Sequence, residues 1–405
     1  MADWAVMNLC SVDPKCMRDS LSVTNLNTRP LRILFVGGAL SGGGAERQLL
    51  QLSTELQSLG HIVTVATIAN SAVPSEFRQV ELWNGQRRTK LGTGPGLAQA
   101  LIRLRRLCLT DRPDVVVGWL SLSVILATIA CRHRGIPVVA ALRNARPEMQ
   151  LGRHREKLLF AALRWSLRNS NLIIANSQAG VDGYTALGLI DISQARVIRN
   201  GIDTYEFQLS TEQSAIAARA ALGVAHDGPL ALYVGRIAEE KDIPLLVRTI
   251  SASLDRRTDL AWLVVGIAAE RFLAIASSLN VTIPANRVCF IARLEKIALA
   301  YNASTILCLT SKREGSPNCV MEARACGLPV ISTECGDVRE CARPSDRIVA
   351  ADPNSLTNAI DDVLATASLR QHQGHQVLSM NDCAQQWLSA LQAVVPAEAK
   401  SPRLD

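Results

Sequence analysis

Short runs of β-branched and aliphatic residues recur along the chain, each followed by a stretch whose apolar positions fall at helical spacing. That alternation is the signature of parallel sheets assembled from strand–helix–strand units. In the first half it predicts strands over Arg32–Val36, Ile62–Ile68, Asp114–Trp119, Pro137–Leu142, Asn171–Ala175 and Arg196–Ile198. The pattern begins afresh at Leu230–Val234 and continues through Leu260–Val265, Val288–Ile291, Thr305–Leu309 and Pro329–Ser332. The fold class expected is therefore α/β, with two doubly wound Rossmann-like domains. Near the end, Met380, Cys383, Ala384, Trp387, Leu388, Leu391 and Val395 form an apolar stripe at helical spacing behind an N-cap at Asn381-Asp382. The organisation that follows is a loose leader over 1–28, a first domain over 29–205, a second over 206–378, a crossing helix over 379–395 and a tail over 396–405. A linker is expected around Asp203 to Thr211.

One apolar stretch, Val115 to Cys131, approaches the roughly 20 residues of a membrane span. Gly118, Ser121, Ser123 and Thr128 interrupt it, and Pro113-Asp114 ahead of three valines reads as a turn feeding a buried strand. A strand followed by a helix ending near Arg132 is the better reading.

Length and composition agree with this picture: 405 residues suit two or three domains, and 48% hydrophobic with 20% charged residues exclude a disordered or low-complexity chain. The eleven cysteines are scattered, with no Cys-x-x-Cys pair and no histidine at zinc-finger spacing. Their odd number predicts free thiols in a reducing cytoplasm. Charge is uneven. Residues 1–200 hold 24 Lys and Arg against 13 Asp and Glu, while residues 201–405 hold 19 against 23. The excess gathers at Arg103, Arg105 and Arg106 and at Arg143, Arg146, Arg153, Arg155, Lys157, Arg164 and Arg168. Such helices can touch anionic lipid or a polyanionic substrate, or form a solvated face. Nucleic acid is disfavoured, since aromatic residues make up 4% and no reader motif appears.

Three segments carry chemistry. The loop Gly37-Gly38-Ala39-Leu40-Ser41-Gly42-Gly43-Gly44-Ala45-Glu46 lies between a strand and a helix, where amides can approach an anion closely. It lacks the Lys-Ser/Thr of a P-loop and the spacing of a dinucleotide fingerprint. Arg236 and Lys241, just after a strand end, suit a diphosphate that is gripped and neutralised as it leaves, with Glu239 and Glu240 offering plain ion pairs instead. The sharpest segment runs from Ser311 to Pro329: Ser316 as N-cap, Pro317 as first helical residue and Gly327 as C-terminal stop define a short helix. It places Glu314 in the loop ahead of the helix and Glu322 in its second turn. Two carboxylates around an amide-rich helix tip suit a ligand that carries both phosphates and hydroxyls, as a sugar nucleotide does.

Glu314-x7-Glu322 followed by Ala-x-Ala-x-Gly-x-Pro-Val, the Gly-Gly-Ala-Glu loop, the Gly235-Arg236 to Lys241 segment and the Arg199-Asn200-Gly201-Ile202-Asp203 hinge together resemble family 4 glycosyltransferases of the GT-B fold. The resemblance implies retaining transfer of a sugar from a nucleotide donor, with no cofactor and no essential metal; no Asp-x-Asp occurs in the chain. By that similarity the first domain takes the acceptor and the second the donor. Arg236 and Lys241 hold the donor diphosphate, Glu314 takes donor-sugar hydroxyls and Glu322 the ribose. Gly315, Ser316 and Asn318 line the same pocket, Gly43 and Gly44 close on the diphosphate from the first domain, and Arg293-Leu294 meets the base. Arg143 and Asn144 fall on the acceptor side, in the stretch Ala141-Leu142-Arg143-Asn144 that stands where many relatives carry a His-containing segment near the donor sugar. Gly266-Ile267-Ala268 and Ala292 also depart from the glycines common in the family. The expected enzyme is cytoplasmic, peripheral on the inner membrane face, and moves sugar from a uridine-linked donor to a polysaccharide or lipid-linked acceptor. The alternatives are a sugar-nucleotide epimerase or hydrolase of the same architecture and a non-catalytic basic scaffold on a membrane surface.

Overall fold

The structure is a computed structural model, and it describes residues 29–39, 43–68, 78–83, 94–147, 153–209, 211–366 and 377–396, without the side chains of 94, 95 and 153–156. The expected leader, the tail beyond 396, the tip of the glycine loop and the side chains of Arg153 and Arg155 lie outside the described residues.

The first domain is a seven-stranded parallel sheet of β1 (Arg32–Gly37), β2 (Ile62–Thr67), β3 (Arg78–Glu81), β4 (Val115–Trp119), β5 (Val138–Leu142), β6 (Leu172–Ala175) and β7 (Ala195–Val197). Its order is β3-β2-β1-β4-β5-β6-β7. Helices α1 (Gly44–Ser58), α2 (Gly94–Asp111), α3 (Ser121–Cys131), α4 (Arg153–Arg168) and α5 (Gln178–Ala186) cover it. The second domain repeats the plan with β8 (Leu230–Val234), β9 (Ala261–Val265), β10 (Val288–Ile291), β11 (Ile306–Leu309), β12 (Val330–Thr333) and β13 (Arg347–Val349), ordered β10-β9-β8-β11-β12-β13. Its helices are α6 (Glu212–Leu222), α7 (Ile243–Arg256), α8 (Ala269–Ser278), α9 (Ala298–Ala303), α10 (Asn318–Ala325) and α11 (Pro353–Ala365). The central strands are buried along nearly their whole length, as both faces of a parallel sheet require.

Two strands escape the apolar pattern. β3 reads Arg-Gln-Val-Glu and β13 Arg-Ile-Val, and each is an edge strand without the continuous apolar run of a covered one. Several expected strands begin one residue late for a shared reason. Asp114 precedes β4 and its carboxylate accepts the Arg32 amide at 2.8 Å. Asn171 accepts the Val138 amide at 2.9 Å, and Thr305 accepts the Leu230 amide at 3.1 Å. These polar residues satisfy the first amide of a neighbouring strand instead of opening their own. The apolar stretch from Val115 is β4 followed by α3, and among the described residues no helix is long and apolar enough to cross a membrane.

After α11 the chain returns to the first domain as α12 (Met380–Val394). Its N-cap is Ser379, not Asn381-Asp382, because the Ser379 hydroxyl is the group that accepts the Asp382 amide, at 3.0 Å. The helix packs against α1, and Trp387 is fully buried with its ring 5.7 Å from that of Trp119. The outgoing and returning segments run side by side: Ile202 donates to the Leu378 carbonyl and accepts from the Met380 amide, each at 2.9 Å. Gly201 permits this approach, since a Cβ there would stand 2.8 Å from the Met380 Cα.

Candidate active site

In an open parallel sheet the loops after two adjacent strands splay apart where the strand order reverses, leaving a crevice at the carboxyl ends. Here the reversals fall between β1 and β4 and between β8 and β11. The loop after β1 leads to Gly43-Gly44, the loop after β8 carries Arg236 and Lys241, and the loop after β11 carries Glu314. The expected motifs therefore sit where this architecture opens.

Lys241 and Glu314 meet directly. The Lys241 ammonium donates to Glu314 Oε1 at 2.6 Å and the Ser311 hydroxyl donates to the same oxygen at 2.7 Å. Their side chains are 16% and 14% exposed, so the pair is sheltered but reachable. The Lys241 carbonyl accepts from Thr310, and the Lys312 amide donates to the Glu240 carbonyl, which ties one loop to the other. Burial pulls the Lys241 pKa down, yet the charge and hydrogen bond of Glu314 more than offset it, and the net shift is upward. The ammonium is thus held charged.

The short helix is α10, but its start differs from expectation. Pro317 is the N-cap in an extended conformation, and Asn318 is the first helical residue. Ser316 is instead engaged through its carbonyl, which accepts from Asn200 at 3.4 Å. Gly327 takes a φ of +79° just past the C-cap, the left-handed stop that the sequence requires. Burial pushes the Cys319 thiol in the first turn up to about 11, so it stays protonated at neutral pH.

The two carboxylates flanking α10 have different surroundings. Glu322 is 2% exposed, accepts the Tyr301 hydroxyl at 2.6 Å, and forms an ion pair with Arg47 of α1. Further contacts close the cleft around it. Asn318 donates to the Gly44 carbonyl at 3.1 Å and accepts from Asn200 at 2.6 Å. A Cβ on Gly44 would lie 3.0 Å from Asn318 Nδ2, and one on Gly315 would lie 2.9 Å from Asn176 Oδ1 and 3.4 Å from the Asn144 Cα. The Asp337 carboxylate reaches from the second domain to the Gln178 and Ala179 amides at the start of α5, at 3.3 and 3.2 Å. The Gly43 amide is already engaged by Glu46 at 2.8 Å, so the N-cap amide of α1 is satisfied from within its own first turn.

Thus Gly43, Gly44, Gly315, Ser316, Asn318 and Glu322 converge at the cleft beside Lys241 and Glu314, with Asn144 against Gly315. Four expected residues stand apart. Arg236 is 65% exposed and pairs with Glu240 at 3.2 Å. Arg293 is exposed beyond the edge strand β10, while Leu294 packs on the apolar core. Arg143 is buried, its guanidinium 4.5 Å from the Trp119 ring centroid and 5.4 Å from that of Trp387, rather than presented on an open face. Burial lowers its pKa to about 10. Residues that sequence reasoning did not select are Arg47, Tyr301, Asp337 and Asn176, and Asn200, read only as a hinge, proves to be a hydrogen-bond donor to α10. Arg47 follows Glu46 in the glycine-loop motif and was the one with a local signal. Among the described residues no group of three His, Cys, Asp or Glu side chains is placed to hold a metal ion.

Comparison with known proteins bears on the family and the fold. The family described as Glycosyltransferase Family 4 matches residues 42–206, and that described as Glycosyl transferases group 1 matches residues 228–366. The D-inositol 3-phosphate glycosyltransferase of Kribbella flavida is 26% identical over 359 residues, which are 78% of this chain and 80% of the relative. The lipopolysaccharide core biosynthesis mannosyltransferase LpsB of Rhizobium meliloti is 30% identical over 199 residues, 46% of this chain and 54% of that protein. Among solved structures, Anabaena Alr3699/HepE, crystallised with UDP and glucose, superposes with a TM-score of 0.73 at 19% identity, covering 90% of this chain and all of that one. WaaG, a glycosyltransferase involved in lipopolysaccharide biosynthesis, gives 0.66 at 17% identity, over 91% and 98% of the two chains. At such identities the superpositions establish the fold. With two family matches that follow the two sheets, a GT-B architecture and both carboxylates of the motif set about α10, the chain belongs to glycosyltransferase family 4 and is a sugar-transferring enzyme.

Proposed function

We propose that the chain transfers a sugar, with retention at the anomeric carbon, from a UDP-linked donor to a polysaccharide or lipid-linked acceptor at the cytoplasmic face of a membrane. The observation that carries the donor side is the Lys241–Glu314 pair at the mouth of the β8/β11 crevice, beside the first turn of α10. In this reading the bond from the anomeric carbon to the diphosphate breaks, and the charge left on the diphosphate is taken up by Lys241, by Arg236 once it turns inward, and by the amides opening α10. Glu314 orients the sugar through its hydroxyls while keeping the ammonium in place. Glu322 takes the ribose and Gly43 and Gly44 close from the first domain, while Arg293-Leu294, which stands apart from the cleft here, is assigned to the base by the family resemblance alone. The acceptor oxygen attacks on the face the diphosphate leaves and passes its proton to that leaving group. The UDP and glucose bound to Anabaena Alr3699/HepE support the choice of donor.

The acceptor reading draws on the basic first domain, where α2 exposes Arg105 and Arg106 and α4 exposes Lys157, Arg164 and Arg168. Exposed Ile102, Leu109 and Leu158 stand among them, a composition that suits anionic lipid. Flotation with anionic vesicles at low salt tests it, and no binding there removes the membrane part. A second reading, a phosphorylated inositol as acceptor, is favoured by the names of the relatives from Kribbella flavida and Actinosynnema mirum. Measuring UDP and GDP release from a panel of sugar donors, with lipid-linked glycans or inositol phosphate as acceptors, decides between them. Release from no donor with any acceptor rejects the site.

A further inference from the structure

Glu322 has both oxygens occupied before any ligand arrives. Oε2 accepts the Tyr301 hydroxyl, and Oε1 faces the guanidinium of Arg47. A carboxylate this deeply buried is costly without a charged partner, and Arg47 is the cation that supplies it. Arg47 belongs to α1 in the first domain, yet its surroundings come from beyond the hinge. Its guanidinium carbon lies 5.9 Å from the centroid of the Phe207 ring, with Glu206 next to it. Burial raises the Glu206 pKa, and the Arg47 charge partly opposes that rise. On its own helix the nearest acid in sequence, Glu46, is committed to the Gly43 amide.

With Oε2 taken by the buried Tyr301 hydroxyl, a ribose hydroxyl that reaches Glu322 is left with Oε1, the oxygen that Arg47 covers. We propose that Arg47 is a positioning residue that competes with the donor ribose for Glu322, so that the first domain occupies the nucleotide site until the donor displaces it. The inference rests on the assignment of Glu322 to the ribose made above. Pairing with Arg47 and binding of a nucleoside diphosphate then exclude each other, and linkage makes the exclusion reciprocal. A nucleotide that enters breaks an interdomain ion pair, and the return of Arg47 helps the product diphosphate leave. Arg47 thereby weakens nucleotide binding and speeds nucleotide exchange.

Isothermal titration of UDP and of GDP into the full chain tests this. Arg47→Gln is expected to tighten the better-bound diphosphate by about fivefold or more, to slow its dissociation, and to lower the donor KM more than it changes kcat. Arg47→Lys, which keeps the cation, should stay near the parent affinity. Glu322→Gln should weaken binding, and Arg47→Gln added to it should bring no tightening, because the coupling has lost its other partner. An Arg47→Gln protein with the parent melting transition whose affinity is unchanged or weaker, while Glu322→Gln weakens binding, overturns the competition and leaves the ribose assignment standing. An unchanged affinity in Glu322→Gln, or no binding of either diphosphate, overturns the ribose assignment and the competition with it.

Discussion

The two crevice edges are built from the same topology and stocked differently. At the second, the chemistry is charged and local: Lys241, Ser311 and Glu314 bind one another within two loops of one sheet. At the first, among the described residues, the Gly44 carbonyl and the Gly43 amide are engaged as backbone groups, and Arg47 in the first turn of α1 directs its charge across the gap. The difference teaches that a repeated scaffold can be furnished unequally, one half carrying a sheltered ion pair of its own and the other reaching across the gap. What stabilises each half also differs. The first relies on a helix, α12, that arrives from the far end of the chain.

Removing that helix's anchor is the largest expected break. Trp387→Ala should cost about 3–5 kcal/mol, the usual range for a buried tryptophan, and it also strips Arg143 of one of its two ring faces. Urea unfolding followed separately by fluorescence and circular dichroism measures it, and a loss below about 1 kcal/mol means that α12 is not integral to the first core. Next comes the charged edge. Lys241→Ala and Glu314→Ala should each lower kcat roughly 100- to 1,000-fold while the chain remains folded by circular dichroism, and full turnover in both removes them from the site. Smaller again is a perturbation where the edges meet. Gly315→Ala places a methyl group 2.9 Å from Asn176 Oδ1, so closure should cost roughly 1–3 kcal/mol, read as a raised donor KM. An unaltered KM would show that the contact is dispensable.

The smallest effect concerns pH. The folded Lys241 pKa lies above its ordinary value of 10.5, so the stability it contributes is complete below that value and is lost as pH rises through the folded one. The stability difference between the parent and Lys241→Met should therefore be flat from about pH 6 to 9 and shrink only above about pH 10.5. A difference that already declines between pH 7 and 9 contradicts a held ammonium.

Much of this was legible in one dimension. Covered parallel strands need continuous apolar runs, and those runs located eleven strands with ends in error by a residue or so. β3 and β13 left no such mark because each is short, opens on an arginine and, being at an edge, can pair through backbone without an apolar run such as the edge strand β10 keeps. Helix α10 was readable from Gly327 and Pro329, but its cap was misassigned to Ser316, whose carbonyl a distant Asn200 had engaged. That is the general pattern. Glu314 and Lys241 declare themselves by sitting just after strands, whereas Arg47–Glu322, Asp337 with the start of α5, and Arg143 beside two tryptophans depend on partners far away in sequence. No spacing rule reaches that far.

The paired backbone at Ile202 and Ser379 has a mechanical corollary. Two peptide straps fastened edge to edge resist sliding and shear far better than bending, so the halves retain one easy swing about a common axle. Any probe that straddles the gap, wherever it is attached, should then register the same motion with the same time constant.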